Sequence, residues 1–196
     1  MLKVNLNQTS GFRTSELPKL VKALEHLELT VSSPEFADHI KNFRFNNIEN
    51  FAYTEMSNVR VLNRVMTGAE LLHPDEDREI DIWLKCFNPT LSQLHVVGFT
   101  YPNMDTQFIN RSFFNRMSIT EIAGNIFHEW AHKISFNHPF KYTEDRCYSV
   151  PYALGYFIAY GDSKIGAIPK RNFQDKLQDS EIFCSHVGLM PEEYGK

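Results

Sequence analysis

The sequence has few of the features that mark membrane, disulfide-rich or nucleic-acid-binding proteins. Its three cysteines in 196 residues include no CxxC pair, and an odd number leaves at least one thiol outside any intrachain disulfide. A net charge of −4 and a pI near 6.1 provide no basic field for nucleic acid or an anionic lipid surface. No apolar run approaches the length of about 20 residues that a bilayer crossing requires. We therefore expect neither a nucleic-acid partner nor a membrane partner.

One short motif instead concentrates residue types that bind metal. His128 and His132 are four residues apart, and Glu129 directly follows the first histidine. Four residues make about one turn of an α-helix, so both imidazoles lie on one face and can bind one ion. Glu129 is placed to take a proton from a water at that ion. This HExxH pattern predicts a catalytic zinc site with a general base.

The residues around the motif predict the helix that it requires. Ser118 and Glu121 form a capping-box pattern, which begins a helix just before the motif. Asn125 and the motif residues lie on the polar side of that helix, so we expect them to face a cleft. The opposite side is a broad apolar stripe, expected in the core and formed by Ile119, Ile122, Ala123, Ile126, Phe127 and Trp130.

A third ligand has to come from beyond this helix, because catalytic zinc takes three protein ligands and keeps its fourth position open. His138 follows His132 by six residues. A residue that precedes proline is disfavoured in helical backbone, so the chain must turn before Pro139 and bring His138 back. The sequence predicts one zinc ion per chain, bound by His128, His132 and His138.

The spacing of these residues resembles the metzincin clan of zinc metallopeptidases, whose signature is HExxHxxGxxH. The HExxH motif and His138 match every functional position, and Ser135 stands where the clan has glycine. Glycine lets the chain leave the helix with a positive φ, whereas serine needs an ordinary or a strained left-handed conformation. The resemblance covers roughly residues 94–160. It implies hydrolysis of peptide bonds in a peptide or protein substrate.

The clan also has a methionine turn beneath the metal, often with a tyrosine two residues later. No methionine occurs between His138 and Met190. The turn's place is taken by the segment from Tyr148 to Tyr152, with Val150 in the position of the methionine and Tyr152 in that of the tyrosine. The resemblance thus implies that Tyr152 helps to stabilise the oxyanion of the reaction.

The mechanism that the resemblance implies assigns a role to one further segment. Glu129 removes a proton from the zinc-bound water and passes it to the leaving amine. In the clan an edge strand above the cleft pairs with extended substrate, and the segment from His95 to Thr100 is expected to do so here.

Two other interpretations remain open. In the first, the chain is a non-catalytic zinc-binding or interaction domain, in which Glu144 or Asp145 closes the fourth metal position and abolishes hydrolysis. Either carboxylate could instead replace His138 as a ligand. In the second, the motif is accidental in a metal-free globular protein. The other histidines show no metal spacing and are expected at the surface or hydrogen-bonded in the core: His26, His39, His73, His95 and His186.

The remaining sequence predicts alternating strands and helices. Apolar alternation predicts strands at 2–6, 80–86, 95–100 and 106–113, while helical periodicity and caps predict helices at 15–27, 33–42, 57–67 and 153–160. We therefore expect an α+β (mixed α/β), zincin-like fold with a small twisted sheet packed on the active-site helix and a helical C-terminal part.

No linker, repeat or low-complexity segment divides the sequence. We expect one catalytic domain over 1–196, with the sheet and active-site helix to about residue 135 and a C-terminal subdomain over about 136–196. The N-terminal segment has no apolar run of signal-peptide length. The expected chain is soluble, cytoplasmic if the sequence is complete and secreted if a leader was removed. Nothing in these patterns predicts an oligomeric state.

Overall fold

The structure is a computed structural model that describes residues 1–45, 56–101, 103–138 and 147–161. Within these ranges the chain forms a mixed α+β fold, as the sequence predicts. The strands are β1 (Lys3–Ser10), β2 (Glu79–Phe87), β3 (Gly98–Thr100) and β4 (Thr106–Asn110), and the α-helices are α1 (Leu17–Val31), α2 (Pro34–Asn42), α3 (Asn58–Thr67), α4 (Arg111–Arg116), α5 (Ile119–Lys133) and α6 (Val150–Tyr160).

The four strands form one mixed sheet in the order β1-β2-β4-β3. β1 and β4 lie on either side of β2 and run parallel to it, and β3 runs antiparallel to β4 at one edge. α1 contacts β1, and α5 contacts β2, β3 and β4. The alternating apolar residues of β2 are buried in the core that the sheet shares with these helices: Ile80, Ile82, Leu84 and Cys86.

Two predicted helices begin and end where their caps place them. Ser33 Oγ accepts a hydrogen bond from the Phe36 amide at 3.2 Å, and α2 begins at the next residue, a proline. Ser57 Oγ accepts one from the Arg60 amide at 3.4 Å at the start of α3. α3 ends at Gly68, whose φ of 75° lies in the left-handed region that favours glycine.

β3 and β4 are both shorter than the strands that the sequence predicts. The strand predicted from His95 begins only at Gly98, because Val96 is held in a turn, with its amide donating to Gln93 O at 3.0 Å. The strand predicted to reach Phe113 ends at Asn110. Asn110 accepts a hydrogen bond from the Ser112 amide at 2.8 Å and caps α4, which replaces the rest of that strand.

Helix α6 packs closely against α5 because each helix has a glycine at the crossing. A Cβ added to Gly124 would lie 2.4 Å from Gly155 O, and one added to Gly155 would lie 2.9 Å from Gly124 O. The predicted helix from Ala153 is present, but it begins three residues earlier, at Val150. The predicted turn between Tyr148 and Tyr152 is therefore wrong in part, since Pro151 fits the first turn of a helix.

In the part of the chain that the structure describes, no helix is both long enough and apolar enough to cross a membrane.

Candidate metal centre

The structure brings together the three histidines that the sequence singles out. One potential ligand atom from each lies within 4.8 Å of those of the other two. The ring centroids of His128 and His132, one turn apart on α5, are 5.1 Å apart. His138 lies 5.2 Å from the first ring and 4.9 Å from the second. His128 and His138 are buried, at 1% and 5% exposed, while His132 is half-buried.

His138 reaches this cluster because the chain turns sharply at the end of α5. The Phe136 amide donates to Ala131 O at 3.0 Å, and the Ser135 amide donates to His132 O at 3.2 Å. These two bonds form a Schellman motif, which places its residue after the C-cap in the left-handed region. Ser135 occupies that position with a φ of 74°. The serine thus adopts the conformation for which the metzincin signature has glycine.

Replacing Ser135 with glycine should raise the free energy of unfolding by about 1 kcal/mol, because glycine takes a positive φ without the steric cost of a Cβ. Little is lost with the hydroxyl, whose contact with Arg64 Nη2 is long, at 3.4 Å. Urea unfolding measures the change. Ser135→Ala is the control, since alanine keeps the Cβ and should not be stabilising. Equal changes in the free energy of unfolding for Ser135→Gly and Ser135→Ala would contradict the claim that the backbone of Ser135 is strained.

His132 is oriented by a hydrogen bond outside the cluster. Its Nδ1 donates to Phe136 O at 2.8 Å, which leaves Nε2 as the nitrogen with a lone pair. Histidines that bind metal commonly make such a bond through the other ring nitrogen, which fixes both the tautomer and the ring direction. The turn after α5 therefore brings His138 back to the cluster and also orients the ring of His132 as a ligand.

Tyr152 forms one wall of the cluster. It lies in the first turn of α6 and has no exposed surface. Its ring centroid is 4.5 Å from that of His128 and 4.9 Å from that of His138, with the rings edge-on or tilted. Val150, at the start of the same helix, is 1% exposed and packs in the core. The tyrosine named from the sequence is thus beside the histidines, although a helix presents it and not a turn.

Glu129 is buried beside the edge strand. It is 1% exposed, and neither carboxylate oxygen has a hydrogen-bond partner. A Cβ added to Gly98 of β3 would lie 3.4 Å from Glu129 Oε1 and only 2.9 Å from Asn125 Oδ1, so glycine lets the strand approach this side of α5 closely. Burial raises the pKa of Glu129 to about 8. A buried carboxylate without a partner is costly, and a nearby cation would offset that cost.

The sequence predicts that the polar side of α5 faces a cleft. In the structure this side is buried instead. Asn125 is 3% exposed, and His128 and Glu129 are each 1% exposed. The physical reason is that α5 lies between the sheet on one side and α6 on the other, so elements cover its polar side as well as its apolar stripe. Of the residues in the HExxH motif, His132 alone is more than slightly exposed.

Among the residues that the structure describes, no further histidine or carboxylate joins the cluster. Glu144, Asp145 and His186 lie outside the described residues. The remaining histidines have other surroundings: His26 Nε2 bonds Ile158 O at 2.9 Å, His39 stacks on Phe157 at 4.4 Å, His73 bonds Asp105 at 2.9 Å, and His95 is exposed.

Sequence analysis missed two buried polar residues near the motif. Glu70 accepts a hydrogen bond at 2.5 Å from Nε1 of Trp130, and burial raises the pKa of Glu70 to about 7 against the effect of that bond. Gln107 on β4 is fully buried, and neither side-chain polar atom has a partner, which costs about 1–3 kcal/mol. Glu70 gives no pattern in the sequence. Gln107 does, because it is polar at an inward position of a strand.

No protein-family model matches the chain, and no curated protein matches it either. The case for a function therefore rests on the chemistry and geometry of this centre.

Proposed function

We propose that the protein is a zinc-dependent metallopeptidase with a zincin-like fold, in which Glu129 is the general base. One observation carries the proposal. Three histidine ligand atoms lie within 4.8 Å of one another, and Glu129, the residue after the first of them, has a buried carboxylate without a hydrogen-bond partner at the antiparallel edge of the sheet. The resemblance of the motif to the metzincin signature supports the same reaction class.

The donor set suits zinc. Imidazole nitrogens bind zinc at about 2.1 Å, so in tetrahedral geometry they lie about 3.4 Å apart. The 4.8 Å limit on the observed separations is wider than this, so the rings would have to move closer together to bind one ion. Imidazole also suits copper, iron and nickel. Three histidines are one of the ligand sets of catalytic zinc sites, and this match is the reason to choose zinc.

A zinc ion held by His128, His132 and His138 would supply a Lewis acid that acidifies water and polarises the peptide carbonyl. Glu129 takes the proton of the attacking water and then gives it to the leaving amine. Its burial keeps that proton from exchanging with bulk solvent. Tyr152 donates its hydroxyl proton in a hydrogen bond to the carbonyl oxygen as negative charge develops there.

The edge strand supports an extended peptide as substrate. β3 lies at the end of the strand order, and it runs antiparallel to its single neighbour β4. A strand at a sheet edge offers backbone amides and carbonyls that an extended peptide can pair with. Because Glu129 Oε1 lies so near Gly98, a peptide paired with β3 would pass close to the base.

A second candidate function is a zinc-binding or interaction domain without catalysis. The burial of His128 and His138, at 1% and 5% exposed, favours it, because closed structural sites exclude solvent and substrate. Glu144 or Asp145 would close the fourth position in this case. Both lie outside the described residues.

Removal and return of metal tests the proposal. Purified protein is stripped with a chelator, and reloaded with zinc, and each form is given an unfolded protein as substrate. We expect about one zinc per chain and hydrolysis only in the zinc-loaded form. Zinc binding without hydrolysis of any peptide would favour the closed site. Absence of zinc binding would mean that the motif is accidental.

Replacing Tyr152 with phenylalanine should lower turnover by about ten- to a thousandfold, because one hydrogen-bond donor to the oxyanion is lost. Zinc content and fold should be retained, since phenylalanine preserves the ring contacts with His128 and His138. Steady-state kinetics and elemental analysis measure the two effects. Tyr156→Phe, one turn along α6 and 9% exposed, is the control and should keep full activity. Equal kinetics in the two variants would remove Tyr152 from the mechanism.

A further inference from the structure

Gln107 is polar, completely buried and without a hydrogen-bond partner at either Oε1 or Nε2. Glu129 is in the same condition, since both of its carboxylate oxygens are buried and unpartnered. Buried polar side chains in folded proteins are almost always hydrogen-bonded, and exceptions call for an explanation. Exceptions of this kind occur where function outweighs stability.

The register of the sheet places these two side chains in the same layer. Gly98 lies opposite Ile109, and a Cβ added to Gly98 would lie 2.9 Å from Asn125 Oδ1 and 3.4 Å from Glu129 Oε1, two residues one turn apart on α5. Residues opposite each other on antiparallel strands share a face, and so do residues two apart on one strand. Gln107 therefore lies on the side of the sheet that faces Glu129, two residues from Ile109.

The position of Gln107 along α5 is bounded from both sides. Ile109 is level with the turn of α5 from Asn125 to Glu129, through its partner Gly98. Just before β4, the Asp105 carbonyl accepts a hydrogen bond from Nζ of Lys133, one turn further along α5. Gln107 lies midway between these two levels. It is therefore level with the turn of α5 that begins at Glu129.

We propose that Gln107 is a positioning residue for the general base: in the zinc-loaded protein its side-chain amide donates a hydrogen bond to the Glu129 carboxylate, directly or through one buried water. This inference rests on the proposed peptidase function. Hydrogen bonds of catalytic groups commonly shorten when the site is fully assembled. Because the amide is neutral, the bond would fix the direction of the carboxylate while lowering its basicity less than a cationic donor would.

The groups around Gln107 are less suited to donate a hydrogen bond to Glu129. Lys133 is directed elsewhere, because its Nζ donates to the carbonyl oxygens of Met104 and Asp105. Beside Gln107 on the same face, Leu84 on β2 and Ile109 on β4 have no donor, and Thr100, opposite Gln107 on β3, donates its hydroxyl to Thr106 O at 3.5 Å. Gln107 has two amide protons and lies level with the base.

Gln107→Met, Glu129→Gln and the double variant test the inference in the zinc-loaded protein. Methionine has nearly the shape of glutamine but no donor. We expect Gln107→Met to keep about one zinc per chain and an unchanged or raised thermal midpoint, while kcat falls about tenfold and KM changes less than about twofold. In the Glu129→Gln background, Gln107→Met should cause no further loss. Leu84→Met, on the neighbouring strand, is the control and should leave kcat unchanged.

Two results would overturn the inference. One is a lower thermal midpoint with unchanged kcat, which would make Gln107 a structural residue. The other is an equal loss of kcat in the presence and absence of Glu129, which would mean that the two residues act independently. If wild-type protein hydrolyses nothing, the proposed function fails. The hydrogen bond is then tested separately by the unfolding free energies of the wild type, Gln107→Met, Glu129→Gln and the double variant. Additive effects on stability would exclude the bond, and coupled effects would support it.

Discussion

Glu129→Gln should lower peptide hydrolysis by at least about a hundredfold while zinc stays bound, because glutamine keeps the shape of the side chain and cannot accept a proton. The substitution leaves the packing unchanged at a residue that is 1% exposed. It also removes a carboxylate that has no hydrogen-bond partner, so the protein should unfold at an unchanged or higher temperature. Steady-state kinetics, elemental analysis and thermal unfolding measure these three properties on one preparation.

The matched control for this prediction is Glu121→Gln on the same helix. Glu121 Oε2 accepts a hydrogen bond from the Ser118 amide at 2.7 Å, and glutamine can accept the same bond in a capping box. Its activity should equal that of the wild type. Undiminished turnover in Glu129→Gln would mean that the reaction class is wrong. Loss of zinc from that variant would show that Glu129 acts as a ligand.

His138→Ala should weaken zinc binding by at least about a hundredfold, since even the outer partners of ligands contribute about ten- to a hundredfold. The histidine is 5% exposed, and its ring centroid lies 5.2 Å from that of His128 and 4.9 Å from that of His132. Among the described residues, no other histidine, cysteine or carboxylate joins this cluster to take its place. Competition with a chromogenic chelator measures the affinity. His73→Ala is the control, because His73 bonds Asp105 and lies outside the cluster.

The outcome of this substitution also separates the alternatives. Full zinc affinity in His138→Ala would remove the residue from the site and point to Glu144 or Asp145 as the third donor. Unchanged affinity in both His138→Ala and His128→Ala would place the metal elsewhere in the chain.

Helices were predictable wherever their signals are local in sequence. α5 begins at the capping box that the sequence shows, with Ser118 Oγ accepting from the Glu121 amide at 3.2 Å. The spacing of His128 and His132 on one face follows from the helical repeat alone. The return of His138 follows from the end of that helix, although the positive φ of Ser135 was one of two conformations left open.

The features that could not be predicted depend on contacts between distant parts of the chain. β4 ends early because Asn110 caps a helix and also donates to Val96 O at 2.8 Å, fourteen residues away in sequence. The burial of the polar side of α5 depends on the packing of α6 through Gly124 and Gly155. The side of the sheet on which Gln107 lies, and its level along α5, depend on which residues of β3 and β4 pair.

The most direct test of the account is a crystal structure of the zinc-loaded protein, with anomalous scattering at the zinc edge used to locate the metal and count its ligands. We expect one zinc ion bound by His128, His132 and His138 at about 2.1 Å, with a water at the fourth position within hydrogen-bond distance of Glu129. A fourth ligand from Glu144 or Asp145 would contradict catalysis, and zinc bound away from these histidines would contradict the site itself.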